Sequence, residues 1–409
     1  MELITTETTG SKGTRGAFAF IAVKFRGTGK MFETTNSDDA LVDNNNLLEY
    51  KNVRPDSASG LHKRALTSLV DHHQRSIKSR EMRVQEVRFT VAQDGSTKFR
   101  TIRDALNAAM GTSRRVEHQM INIYIKAGTY KEYLDIQVPN ISLIGDGMGK
   151  TIITGDRIVA DENSSADATA TVTVNGKKGT LFIARGITFR NTAGLPNNNY
   201  NQAVALRSDK GNSAFYQCSF EGYQDTLLAD SGNQFYRECS ISGSVDFIFG
   251  NALAIFQRCD ISVKPSKNKK SIIAAQGRGN PEENTGFIFQ NCKIHPSAEL
   301  RPLIESKSKE VYLGRPWKLF ARTIFLNSEL EGVHEQGWTT WNETASTDHI
   351  EYAEYGNTGA AASTNGRVKW KNFHVLNSLE EARKYTLGGG FWQQFNWLEI
   401  TNVPFDRDL

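Results

Sequence analysis

Asp225 and Asp246 are the residues from which chemistry can be argued first. They lie 21 positions apart, in the segments GYQDTL and VDFIFG. A carboxylate flanked by Phe247, Ile248 and Phe249 is costly unless something holds it, so Asp246 asks for a reason. Taken alone, it is also what an Asx-turn at a chain corner would present. Two carboxylates brought close cannot both ionise freely: one keeps a proton and can act as an acid, while the other stays anionic. Further polar residues recur in comparable surroundings, namely Gln202 in QAVALR, Gln224 beside Asp225, and Arg315 followed by Trp317 in LGRPW.

Other site types are missing. No G-x-S-x-G elbow, H-E-x-x-H helix or C-x-x-C pair occurs, and each of those chemistries needs its spacing. The run Gly145 to Lys150 (GDGMGK) lacks the spacing of a phosphate loop and reads as a turn. The eight histidines fall in no ligand spacing, so a metal site is not indicated.

A pair of side chains 21 residues apart meets only if the backbone returns on itself at that interval. A repeat with this step is present. Four segments carry Cys, one variable residue, then Phe or Ile: Cys218–Phe220, Cys239–Ile241, Cys259–Ile261 and Cys292–Ile294, with Ile187–Phe189 as an earlier cousin. The cysteines are 21, 20 and 33 residues apart. Short recurring strands at about twenty residues with longer excursions point to a solenoid. Period-2 alternation sends Cys and Phe or Ile to one side, as stacked ladders inside a parallel β-helix. A β-sandwich with chance similarity between strands is the alternative, and the regular spacing favours the coil. Asp225 and Asp246 share the cysteine step, so the same coil would stack them on one face. Rungs about 4.8 Å apart also fall within disulfide reach. Any neighbouring cysteine pair could bridge, or all four could remain buried thiols.

Composition bounds the rest. In 409 residues, 49 Lys and Arg oppose 45 Asp and Glu, for a net charge of +4. That suits a polyanionic partner but is far from the basic stripe of a nucleic-acid binder. No stretch approaches eighteen apolar residues, so a membrane span is not expected. Gly at 34 and Phe at 22 against Pro at 9 fit an all-β, turn-rich chain. Residues 1–86 read as a separate, poorly structured tract of the kind a pro-region leaves, with one amphipathic helix expected over Leu61–Met82. Its apolar run at 17–23 (AFAFIAV) imitates a signal peptide loosely but lacks a small-residue cleavage site. Residues 87–409 read as the β-helix domain, with helices expected over Thr101–Met110 and Ser378–Tyr385.

From about Phe89 to the C-terminus the chain resembles the plant pectinesterases (pectin methylesterases). The resemblance rests on VAQDGSTKFRTI, AGTYKEYL, GDGMGKTIITG, FIARGITFRNTAG, QAVALR, GYQDTL, VDFIFGNA, LGRPWK, the GW at Trp338, EYGNTGAAA and RVKW. It implies a right-handed parallel β-helix and a carboxylic ester hydrolase that removes methyl groups from homogalacturonan. Asp246 is then expected to be the nucleophile and Asp225 the general acid and base. Gln224 and Gln202 would donate to the oxyanion, and Arg315 would hold Asp246 anionic. Trp317 and Trp338 are expected to stack on sugar rings, with Phe249 also lining the cleft. The resemblance pairs Cys239 with Cys259 in a disulfide and needs no cofactor. It further implies a monomer, a pectin substrate, a proteinaceous inhibitor as partner, and a secreted, cell-wall location.

The chain also departs from the family. Leu228 stands where an aromatic usually follows QDTL, and Ser165-Ala166-Asp167 replaces a Thr-Phe pair whose Thr touches substrate. The loop LPNNNYN after Gly194 is longer than usual. No cysteine-bearing inhibitor-like region occupies residues 1–86. These departures motivate an alternative, a pectin-binding wall protein with weak or no turnover. A pectin-cleaving lyase or hydrolase would need a different acidic set. Asn140, Asn163 and Asn342 head N-x-[ST] sequons.

Overall fold

The computed structural model describes residues 87–113, 119–161, 163–177, 179–193, 201–342 and 344–409, and four strands nearer the N-terminus. Two units are separated, Met1–Gln85 and Glu86–Leu409. In the first, strands Glu2–Glu7, Ala19–Lys24, Ala40–Val42 and Leu47–Tyr50 form an antiparallel sheet in the order first, second, fourth, third. The flexible chain expected over 1–86 falls largely outside the described residues, as does the helix expected over Leu61–Met82.

The second unit is a right-handed parallel β-helix of three sheets, with eleven, eight and seven strands. One coil shows the pattern. Strand Asn233–Arg237 belongs to the first sheet, Ser240–Gly243 to the second and Ile248–Gly250 to the third, and the chain then re-enters the first sheet at Leu253. The predicted ladder is present in the second sheet. Tyr130, Ile153, Phe189, Phe220, Ile241, Ile261, Ile294 and Leu330 are successive register partners, and all are buried. Stacking apolar on apolar along the ladder builds the dense interior that a core requires.

The structural repeat is longer than the Cys-x-Ile pattern. Three residues before each cysteine stands an aromatic, and these rings stack in the first sheet. Centroids are 4.8 Å apart for Phe215–Tyr236, 4.5 Å for Tyr236–Phe256, 4.7 Å for Phe256–Phe289 and 4.4 Å for Phe289–Phe325. Between the aromatic and the cysteine the backbone turns through one left-handed residue: Gln217, Glu238, Arg258 and Asn291, with φ of 51° to 55°. That conformation costs about 1 kcal/mol or more for a residue with a Cβ. It is offset because each bend keeps its ladder bond: Gln217 N–H donates to Arg237 O at 3.0 Å and Arg258 N–H to Gln290 O at 3.1 Å.

Ends and edges are covered. Helix Ile102–Ser113, close to its expected span, buries Ile102, Ala105, Leu106 and Ala109 at the first coil. The outer face of the first sheet is covered by Ala382, Leu387, Phe391, Phe395 and Leu398 from the C-terminal segment. That segment opens with helix Leu379–Arg383, capped by Ser378, whose hydroxyl accepts from Glu381 N–H at 3.2 Å. GDGMGK is a turn, closed by Lys150 N–H to Gly147 O at 3.0 Å. Residues 194–200 of the long loop lie outside the described residues.

Candidate active site

The third sheet carries the polar cluster at its entry. Leu227 and Ile248 are register partners, and two residues before each stand Asp225 and Asp246. Asp225 N–H donates to Val245 O at 3.1 Å, joining the two coils. Both aspartates are left-handed, with φ of 63° and 47°, a conformation that Asp tolerates better than most residues. The chain therefore kinks at each, and successive coils present both carboxyls at one place. Their exposures are only 8% and 4%.

Arg315 reaches this place from the end of strand Glu310–Gly314. Its Nε–H donates to Asp246 Oδ1 at 2.9 Å and its Nη2–H to Oδ2 at 2.5 Å, a two-point grip. Gln224 hydrogen-bonds Asp225 through its side chain. Burial pushes both carboxyls above the usual carboxylate range. Asp225 stands well above it, because the charge of Asp246 adds to burial, while Arg315 and Gln224 pull the other way. For Asp246 the only opposing influence is Arg315, which draws it back through those two bonds. The pair is thus graded: Asp225 keeps its proton where Asp246 loses one.

Gln202 lies one coil earlier, since Ala203 N–H donates to Gln224 O at 3.2 Å. Its side-chain oxygen accepts from Asn201 N–H at 3.2 Å. Leu228 and Phe249 are register neighbours on the outer face of the third sheet. With Ala170, Val204 and Ala275 they form a buried apolar patch, so Leu228 fills the floor rather than offering a ring. Trp317 is 40% exposed and leans on Phe249 with ring centroids 6.0 Å apart. Of the replaced segment, Asp167 is committed to Arg207, at 2.9 Å.

Two expectations need correction. Trp338 is not a platform: it is fully buried, packs on Tyr352 at 4.5 Å between centroids, and donates its indole N–H to Glu354 Oε1 at 3.1 Å. It pairs with Gly314 as an isolated bridge and points inward. The residue missed is Trp341, 45% exposed, with the Arg315 guanidinium carbon 3.4 Å from its ring centroid. An offset of three in extended chain puts two side chains on opposite faces, so GWTTW held the signal that only one of its indoles could face outward. The disulfide between Cys239 and Cys259 is not formed, and all four cysteines are free and buried. Each thiol instead meets backbone carbonyls, Cys239 at Phe215 O and Arg237 O (both 3.4 Å), Cys259 at Tyr236 O (3.5 Å). Among the described residues no group of His, Cys, Asp and Glu could hold a metal ion.

A protonated carboxyl beside an arginine-held carboxylate, with side-chain amides close by, can attack an acyl carbon and protonate the group that leaves. Comparison with known proteins points the same way. The model of the Pectinesterase family matches residues 88–392. "Probable pectinesterase/pectinesterase inhibitor 17" of Arabidopsis thaliana is 47% identical over 320 residues, 78% of this chain and 59% of that protein. "Pectinesterase 2" of Citrus sinensis is 47% identical over 322 residues, 78% of this chain and 60% of that protein. Among solved structures, pectin methylesterase from carrot superposes with a TM-score of 0.72 at 41% identity, covering 78% of this chain and 98% of that one. The enzyme of that name from Aspergillus niger gives 0.58 at 31%, covering 71% and 90%. The chain spans about 60% of the length of these curated plant relatives. No helix among the described residues is long and apolar enough to cross a membrane.

Proposed function

The chain belongs to the pectinesterase family, and from that premise we propose that it hydrolyses the methyl esters of homogalacturonan, releasing methanol. Asp246 attacks the ester carbonyl carbon and becomes acylated. Asp225 gives its proton to the departing methoxide, which leaves as methanol, and then takes a proton from the water that cleaves the acyl-enzyme. Water's oxygen stays on the galacturonate carboxyl, and Asp246 is returned as carboxylate. Gln224 and Gln202 donate to the oxyanion of each tetrahedral species, a contact worth about 3 kcal/mol per donor in comparable sites. Arg315 keeps Asp246 anionic and aimed. Trp317 offers a sugar face. This chemistry belongs in the cell wall, where the substrate lies and where a proteinaceous inhibitor would meet the enzyme.

The observation that carries this reading is the two-point grip of Arg315 on Asp246 beside the buried Asp225, whose proton affinity is raised by burial and by the charge of Asp246. Methanol release from highly methylated pectin tests it, with Asp246→Asn beside the wild type. The variant is expected to lose activity at least roughly a thousandfold, as loss of a nucleophile does. Reducing ends and unsaturated product, followed in the same tubes, should not rise. Folded wild type that binds pectin yet frees no methanol would sink the esterase in favour of a binding protein.

A further inference from the structure

Arg315 is held on two sides. The in-plane edge of its guanidinium meets Asp246 at 2.9 and 2.5 Å, and its face lies 3.4 Å from the centre of the Trp341 ring. A planar cation offers both at once: donors in the plane, and a flat face for an aromatic quadrupole. Trp341 is itself tied down, since its Nε1–H donates to the carbonyl of Pro316, the residue after Arg315, at 2.6 Å. The loop that carries it is anchored three residues earlier. There Trp338 is buried as the bridge partner of Gly314, and Thr339 N–H donates to Gly314 O at 3.1 Å. Segments 314–316 and 338–341 are therefore joined at the residues before, at and after Arg315.

We propose that Trp341 is a positioning residue that clamps the Arg315 guanidinium in the plane from which it grips Asp246. The inference rests on the esterase reading, in which Asp246 is the attacking group. Without the indole, one face of the guanidinium opens to water, its side chain gains freedom, and the two-point grip on the nucleophile loosens. The titratable and charged groups around Asp246 are Arg315, Asp225 on the preceding coil and the buried Tyr352 hydroxyl. Of these only Arg315 favours the anion by charge. A looser grip raises the proton affinity of Asp246, so activity is lost at higher pH on acidification.

The test compares wild type with Trp341→Leu and Trp341→Phe in methanol release across pH, resolving kcat from KM. In parallel the Arg315 Nε–H resonance is followed in arginine-labelled protein. Trp341→Leu is expected to lower kcat roughly five- to tenfold, to move the acid limb to higher pH, and to abolish the upfield ring-current shift of the Nε–H. Trp341→Phe, which keeps a π face, should stay within about twofold of wild type in kcat. Wild-type kcat and acid limb in Trp341→Leu, whatever KM does, would overturn the proposal, as would equal loss of kcat in both variants. Should Trp341→Leu fail to melt cooperatively, Trp341→Met replaces it in both measurements. If the wild type frees no methanol, the esterase reading fails alone. The clamp is then decided by the resonance, and an Nε–H shift that survives loss of the ring refutes it.

Discussion

Burial of a carboxyl at Asp225 acts on stability as well as on chemistry. Its proton affinity is raised in the folded protein, from an ordinary value of 3.8, by burial first and by the charge of Asp246 second. The folded state therefore binds this proton more tightly than the unfolded chain does. Stability from this group is fully present below pH ~4 and is lost as pH climbs through the raised value. At neutral pH the site bears that loss, a local burden of a kind that catalytic groups often impose on the fold. Asp225→Asn keeps the shape and removes the titration. It should melt higher than wild type at pH 7–8, by roughly 1–3 °C for about 1 kcal/mol in a chain of this size, and the gap should close as pH falls toward 4. Methanol release should drop by about a hundredfold or more, the usual worth of a general acid. Melting curves from pH 4 to 8 check this, and a gap that is constant or reversed would remove burial of the charge as its cause.

At the scale of the strand and turn, the site depends on small residues that let large ones lie flat. Gly277 follows strand Lys270–Gln276, and a Cβ there would come 2.7 Å from Trp317 Cε3. The indole is exposed, so it can move. Gly277→Ala is expected to fold, to tip Trp317 off its seat and to raise KM for pectin about threefold or more, with kcat within twofold because Asp246 and Arg315 are untouched; these bounds scale from the worth of one exposed aromatic contact. Steady-state kinetics on a pectin series reads this directly, and an unchanged KM would remove Trp317 from the substrate face. The coil itself was legible in the sequence because Cys-x-Ile keeps its residue types from turn to turn. The bend before each cysteine was not, because Gln217, Glu238, Arg258 and Asn291 share a backbone conformation and no chemistry. The stack of Phe215, Tyr236, Phe256 and Phe289 keeps the 21-, 20- and 33-residue steps of the cysteines, three positions earlier, and was as legible as the coil, whereas Phe325, 36 residues on, is followed by Ser328 where the pattern would place a cysteine. Asp225 and Asp246 could be paired from the sequence because they share the 21-residue step. Trp338 was misassigned because its motif lies where the coils are irregular and facing cannot be counted off.

For the whole β-helix, the physical problem is how a stack of identical layers stops, since each end exposes apolar interior and unpaired strand. Helix Ile102–Ser113 meets that need at the first coil. At the other end the aromatic row runs into charge. The register partner of Phe325 in the next coil is Glu354, buried and gripped by buried Arg367 at 2.8 and 3.2 Å. Arg367 also donates to Glu335 O at 3.0 Å and Ala361 O at 2.9 Å, while Glu354 accepts from Trp338 and from Asn357. The EYGNTGAAA and RVKW segments, which carried part of the family resemblance, are thus the plug of the coil rather than parts of the site. A buried pair of this kind adds little over an apolar replacement, yet removing one partner is costly because the other charge is stranded. Arg367→Met should therefore lower stability by about 3–5 kcal/mol, whereas Arg367→Met with Glu354→Leu should recover most of that loss. Denaturant midpoints for the two single variants and the double decide it: additive losses would mean that the two side chains act independently. The plug also reaches the chemistry, because the Trp338 that Glu354 holds is the bridge partner of Gly314, one residue before Arg315. Arg367→Met should accordingly lose kcat at temperatures where it is still folded, and the double variant, which leaves the Trp338 N–H without Glu354, should regain stability without regaining all of its rate.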